Sequence, residues 1–267
     1  VMPNAPGHTD DNFLLKPPNH KHYQLHSSKQ KKDISPIIKV SITGSIMKLR
    51  FPYLIFDFDG TLVESAIGMT ACMNQLMSEL DRPSLEVQQV AYMVGEGIQV
   101  TVSRAMKATG GMPENLDAYV TRFKELYYDQ SIEETPLYPD VIETLQYLAE
   151  EGYVMGLCTN KVYDATVRLL EGLDIARFFQ AVAGGDTYPI RKPDPRHLEG
   201  VMEAIGGSRD QSIMIGDSIN DIGCARAANV RSIAVTYGYT KIPPAEMGAD
   251  RLVDRFNEIP AAISALS

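Results

Sequence analysis

The sequence is expected to fold as an α/β protein with a parallel sheet, flanked by helices, and an all-helical segment inserted after the first strand. Three observations predict this. Short apolar runs alternate with stretches of helical periodicity from about residue 136 onward. The run Tyr53-Leu54-Ile55-Phe56 ends in Asp57, as a buried parallel strand does when it delivers a polar side chain at its carboxyl edge. Between them, residues 66–135 carry helical spacing and no strand pattern.

The elements follow in order. Residues 66–80 place apolar side chains at helical intervals, and 84–131 continue the pattern through Val90, Met93, Val94, Ile98, Val102 and Met106. Gly110-Gly111-Met112-Pro113 interrupts it. From Pro139 the reading is helix 140–151, strand 153–158, helix 161–172, strand 180–183, helix 195–205, strand 212–216 and helix 218–228. Strands near 231–235 and 251–253 and a helix near 257–266 close the chain. Strands alternating with amphipathic helices make βαβ units and a sheet covered on both faces. The expected organisation is therefore a Rossmann-like core of residues 47–65 and 136–267, with a helical domain of 66–135.

Residues 1–46 differ from the rest. They hold four of the five histidines, and six lysines against three aspartates, a net +3 that leaves −12 for the remainder. So few core-forming residues in the first thirty predict a disordered extension, with Met47 as the natural start. Lys39 interrupts the one moderately apolar stretch and no cleavage site follows it, so a secretory leader is not expected.

A net charge of −9 argues against nucleic acid as the main partner, because a phosphate backbone demands clustered Lys and Arg. It does not argue against a small anion, whose local pocket outweighs distant charge. Cys72, Cys158 and Cys224 are odd in number and widely spaced, which predicts buried thiols in a cytoplasmic protein. No apolar run approaches the roughly 18 residues that span a bilayer.

Four short motifs fall at strand ends or in the loops after them. In Asp57-Phe58-Asp59-Gly60-Thr61, residues two apart share a face of the strand, so Asp57 and Asp59 approach one ligand before Gly60 turns the chain. Taken alone, such carboxylates also suit a strand end facing water. Cys158-Thr159-Asn160-Lys161 offers either a phosphate cradle or ordinary helix caps. Arg191-Lys192-Pro193-Asp194-Pro195 offers either one fixed ammonium or an exposed loop. Gly216-Asp217-Ser218-Ile219-Asn220-Asp221 places two acids one helical turn apart, as magnesium ligands or as first-turn acids. Together, on the carboxyl ends of parallel strands, they mark one site.

In this order, over residues 51–256, the motifs resemble the haloacid dehalogenase superfamily. The helical insert resembles the cap of its phosphoglycolate phosphatases, as do Val94-Gly95-Glu96-Gly97, Gly184-Gly185-Asp186-Thr187 and Tyr237-Gly238-Tyr239. Glu64 and Asp194 depart from that pattern, where Asp and often His are usual. The resemblance implies a phosphatase with Mg2+ as cofactor and a small phosphorylated metabolite, 2-phosphoglycolate first, as substrate. It implies Asp57 as nucleophile, Asp59 as general acid and base, and Thr159, Asn160 and Lys192 as phosphate ligands. Gly60 and Thr61 are implied as further substrate-binding positions. The metal is implied at Asp57, the Asp59 carbonyl and Asp217, with Asp221 supporting its shell. Two alternatives stand beside this: a sugar-phosphate mutase, disfavoured because 62–138 hold no histidine, and a non-catalytic binding protein on the same fold.

Overall fold

The computed structural model describes residues 49–129 and 132–266. The expected extension 1–46 and the start at Met47 lie outside these residues. Six parallel strands form one sheet in the order β3-β2-β1-β4-β5-β6. They are β1 (Tyr53–Phe56), β2 (Val154–Cys158), β3 (Phe179–Ala183), β4 (Ser212–Gly216), β5 (Arg231–Val235) and β6 (Arg251–Val253). This is the α/β sheet expected from the sequence.

Alternation along the strands covers both faces. Leu54 and Phe56 of β1, with Ile213 and Ile215 of β4 and Ile233 and Val235 of β5, join one core cluster. Helices α5 (Val141–Glu150), α6 (Tyr163–Gly172) and α9 (Ile259–Ser264) supply its other side. Ile55 and Met214 point the opposite way, into a second cluster closed by α7 (Pro195–Ala204) and α8 (Ile219–Ala227). Burying each such side chain contributes roughly 1.5–3 kcal/mol, so a one-residue slip of β1 would reverse which face each residue meets.

The helical segment has its own apolar cluster, from Met69 through Val102 and Met106 to Phe123. It comprises α1 (Ala66–Glu79), α2 (Val87–Ala91), α3 (Ile98–Ala108) and α4 (Leu116–Asp129). Here one expectation is corrected: the pattern read as continuous across 84–106 is broken between α2 and α3. Gly95 (φ 103°) and Gly97 (φ 91°) occupy backbone conformations a helix cannot hold. Val90, Val94 and Val102 still reach one core, which is why the spacing mimicked a single helix.

The connections into and out of this segment lie side by side. Glu64 N–H donates to Pro136 O at 2.9 Å, and Tyr138 N–H to Leu62 O at 3.0 Å. Glu64 also braces the junction by accepting from Ala66 N–H (3.1 Å), Tyr239 OH (2.5 Å) and Tyr138 OH (3.0 Å). No described helix is long and apolar enough to cross a membrane.

Candidate active site

The sheet order reverses between β1 and β4, and ligands of open α/β sheets bind outside the carboxyl ends of strands at such a point. Asp57 follows β1 directly, its N–H bonded to Ile215 O of β4 at 2.9 Å. Asp217 follows β4, and Thr159 follows β2 with its N–H on Ala183 O at 3.0 Å. Sheet pairing thus fixes three of the expected side chains relative to one another.

One carboxylate oxygen from each of Asp57, Asp217 and Asp221 lies within 4.8 Å of the others. The Lys192 ammonium stands 2.7 Å from Asp57 Oδ1 and 2.6 Å from Asp221 Oδ1. The Asp221 contact has hydrogen-bond geometry, and the Asp57 contact is a close ion pair. The Arg191–Pro195 loop is therefore no exposed loop at Lys192, which is 3% exposed. Burial acts to lower the Lys192 ammonium, but Asp221 and Asp57 outweigh it and raise it above its ordinary value. Burial, helped by Asp221 and opposed by Lys192, pushes the Asp57 carboxyl up to about 7. Burial and the charges of Asp221 and Asp57 hold Asp217 well above the usual carboxylate range.

Three buried carboxylates around one ammonium leave uncompensated negative charge, and an all-oxygen set suits a hard divalent cation. The residues present therefore fit Mg2+. Asp217 is oriented by Thr61 Oγ1 (3.3 Å) and Tyr239 N–H (2.6 Å). Asp221 spends Oδ1 on Lys192 and Oδ2 on the Ser218 N–H (3.0 Å) and hydroxyl (2.6 Å), a bonding pattern suited to holding its neighbours in place.

Gly60 turns the chain at φ 81°, and a Cβ there would meet Asp217 Oδ2 at 2.4 Å. Gly60 and Thr61 do not line the cavity: their N–H groups bond inward to Val63 O (3.0 Å) and Phe58 O (3.3 Å). They shape the turn that follows Asp59. The Asp59 carboxylate is not part of that close acid cluster and pairs with Lys161 Nζ at 3.1 Å. Thr159 Oγ accepts the Lys161 N–H at 3.2 Å, which occupies a lone pair and not the hydroxyl proton. Asn160 Nδ2 donates to Gly95 O (2.9 Å) and Lys192 O (3.0 Å), tying the helical segment to the Lys192 loop.

Asp57, Asp59, Thr159, Asn160, Lys161 and Asp217 line a cavity of about 50 Å3, roofed by Val94, Gly95, Gly97, Ile98, Thr101 and Tyr127. That is far below the roughly 300 Å3 at which sites for drug-sized ligands begin, so the occupant has few heavy atoms. Glu96 and Arg104 pair at 2.6 Å, and Glu96 also takes Lys241 Nζ at 2.6 Å, which clasps the helical segment to the loop after β5.

Sequence reasoning gave Lys161, Tyr127, Tyr239 and His197 no role in the site. Lys161 sits inside a quoted motif, and its position one residue past a strand-end Thr-Asn was an available signal. His197 accepts Lys192 N–H on Nδ1 (3.2 Å) and faces Gly184 O through Nε2 (3.2 Å), so it carries its proton on Nε2.

Known proteins resemble this chain over most of its length. Residues 54–235 match the family described as haloacid dehalogenase-like hydrolase. A phosphoglycolate phosphatase of Agrobacterium fabrum is 39% identical over 214 residues, 79% of this chain and 92% of that protein. One of Rhodospirillum rubrum is 39% identical over 209 residues, 76% of this chain and 87% of its own length. The crystal structure of a predicted phosphoglycolate phosphatase from Haemophilus somnus superposes with a TM-score of 0.74 at 30% identity, covering 80% of this chain and 98% of its own.

Proposed function

The chain belongs to the haloacid dehalogenase-like hydrolase family as a phosphoric monoester hydrolase, and from that premise we propose that it is a Mg2+-dependent phosphatase hydrolysing 2-phosphoglycolate through a phosphorylated Asp57. The observation that carries the reading is the buried constellation of Asp57, Asp217, Asp221 and Lys192 at the switch point of the sheet. The relatives' activity on phosphoglycolate suggests the substrate, and the small cavity, lined by Lys161 as well as by acids, suits a two-carbon anionic ester.

Asp57 attacks phosphorus, the ester P–O bond breaks, and the leaving glycolate oxygen takes a proton from Asp59. Water then attacks the aspartyl-phosphate, Asp59 takes back a proton, and inorganic phosphate leaves with Asp57 restored. Lys192, fixed between two carboxylates, brings a positive charge to the transferring group. Thr159 and the Asn160 N–H hold phosphoryl oxygens. Asp57, the Asp59 carbonyl and Asp217 would hold Mg2+, which when bound offsets the repulsion between carboxylate and phosphate. Residues 66–135 act as a cap, excluding water through the Gly95 and Glu96 contacts.

The test is phosphate release from 2-phosphoglycolate, beside sugar and nucleotide monophosphates, with magnesium and with a chelator. Magnesium-dependent preference for phosphoglycolate is expected. Equal rates on all esters would overturn the substrate, and release unaffected by chelation would overturn the metal.

A further inference from the structure

Lys161 is the cation of the cavity that the reaction above does not use. Its side chain is 5% exposed, with Nζ 3.1 Å from Asp59 Oδ1 and 2.5 Å from the Tyr127 hydroxyl. The ammonium also lies 4.5 Å from the centroid of the Tyr127 ring, which comes from α4 of the helical segment. Burial acts to lower Lys161, but Asp59 and Tyr127 outweigh it and keep the ammonium charged.

A count of donors shows what this pair has left to give. An ammonium has three N–H donors and no acceptor. Lys161 meets both Asp59 oxygens (3.1 and 3.4 Å), which lie on one carboxylate and share one forked N–H, and directs a second N–H at the Tyr127 oxygen, which leaves the third. Because the Tyr127 hydroxyl accepts from Lys161, its own proton remains to donate. Both residues line the cavity that Asp57 and Thr159 line, while Met69, Val94 and Ile98 make its apolar wall. Lys192, by contrast, is committed to two carboxylates. An N–H and an O–H set side by side match the two oxygens of a carboxylate.

We propose that Lys161 and Tyr127 determine specificity by binding the substrate's second anionic group, a carboxylate one carbon from the ester oxygen. This deepens the 2-phosphoglycolate reading and rests on it. It also gives the helical segment a role in recognition, since the hydroxyl reaches the site only when α4 lies over the sheet.

The experiment compares kcat/KM for 2-phosphoglycolate with that for ethyl phosphate, which carries a methyl group in place of the carboxylate. The wild type favours phosphoglycolate. In Lys161→Met that ratio falls by about 30-fold, the size expected on losing a charge-assisted hydrogen bond, and mainly through KM. In Tyr127→Phe it falls about fivefold, and Lys161→Arg restores part of the ratio lost in Lys161→Met. Circular dichroism and melting confirm folding; if Lys161→Met does not fold, Tyr127→Phe, which deletes one oxygen, carries the test. A wild type with preference, whose variants lose both substrates in step and keep the ratio, overturns the role of the pair alone. A wild type without preference overturns the phosphoglycolate reading and the pair together.

Discussion

Asn160 Nδ2 donates to the Gly95 carbonyl at 2.9 Å, and Asn220 Nδ2 donates to the same oxygen at 3.1 Å. Two strand-end motifs of the sheet thus grip one backbone oxygen of the helical segment. The grip depends on the break between α2 and α3, because a continuous helix would spend that carbonyl internally.

Asn220→Ala removes one of these two bonds without touching the acid cluster. A neutral hydrogen bond contributes about 1 kcal/mol, so closure weakens and KM for the phosphate ester rises about fivefold. Hydrogen exchange at residues 94–98 is expected to accelerate. Unchanged exchange there would show that Asn220 does not hold the segment down.

Magnesium is expected to raise the melting temperature of the wild type at neutral pH. At a hundredfold excess over Kd the gain is about 2.7 kcal/mol, several degrees for a chain of this size. Asp217→Asn removes one carboxylate from the cluster and should abolish most of the shift. An equal shift in the variant would place the ion elsewhere.

His197 supplies a pH signature separate from catalysis. Burial, and then the nearby Lys192 charge, pull its imidazole down to about 4. Its ordinary value is about 6.5, so below that the unfolded chain binds a proton the folded one refuses. The His197 contribution is therefore intact above about pH 6.5 and lost as pH falls toward about 4, at a cost of about 3 kcal/mol. Urea unfolding between those values checks this: the wild type should lose about 3 kcal/mol more than His197→Gln. Parallel slopes would contradict the buried neutral histidine.

The parts of the site read directly from sequence are those delivered by strands. An apolar run ending in an acid or threonine puts that side chain at the sheet edge, as at Asp57, Thr159 and Asp217. The sheet and the helical insert were legible for the same reason, since periodicity reports which face is buried. Lys192 was harder: its loop reads as exposed, and only the folded chain brings Asp57 and Asp221 around it. Tyr127 had no local signal, because its partner Lys161 lies 34 residues away, beyond helix α5 and strand β2. The helix break at Gly95 and Gly97 was not legible, because the apolar spacing around them stays in step with one helix while the backbone does not.

The most direct test of the central claim is on Asp57. Wild type and Asp57→Asn are mixed with 2-phosphoglycolate and magnesium, quenched in acid within a turnover, digested and weighed by mass spectrometry. The account predicts one added phosphoryl group on the wild-type peptide carrying Asp57 and none in the variant. It also predicts that the folded variant's steady-state turnover falls by at least about a thousandfold. A phosphoryl group on another residue, or turnover persisting in Asp57→Asn, would contradict it.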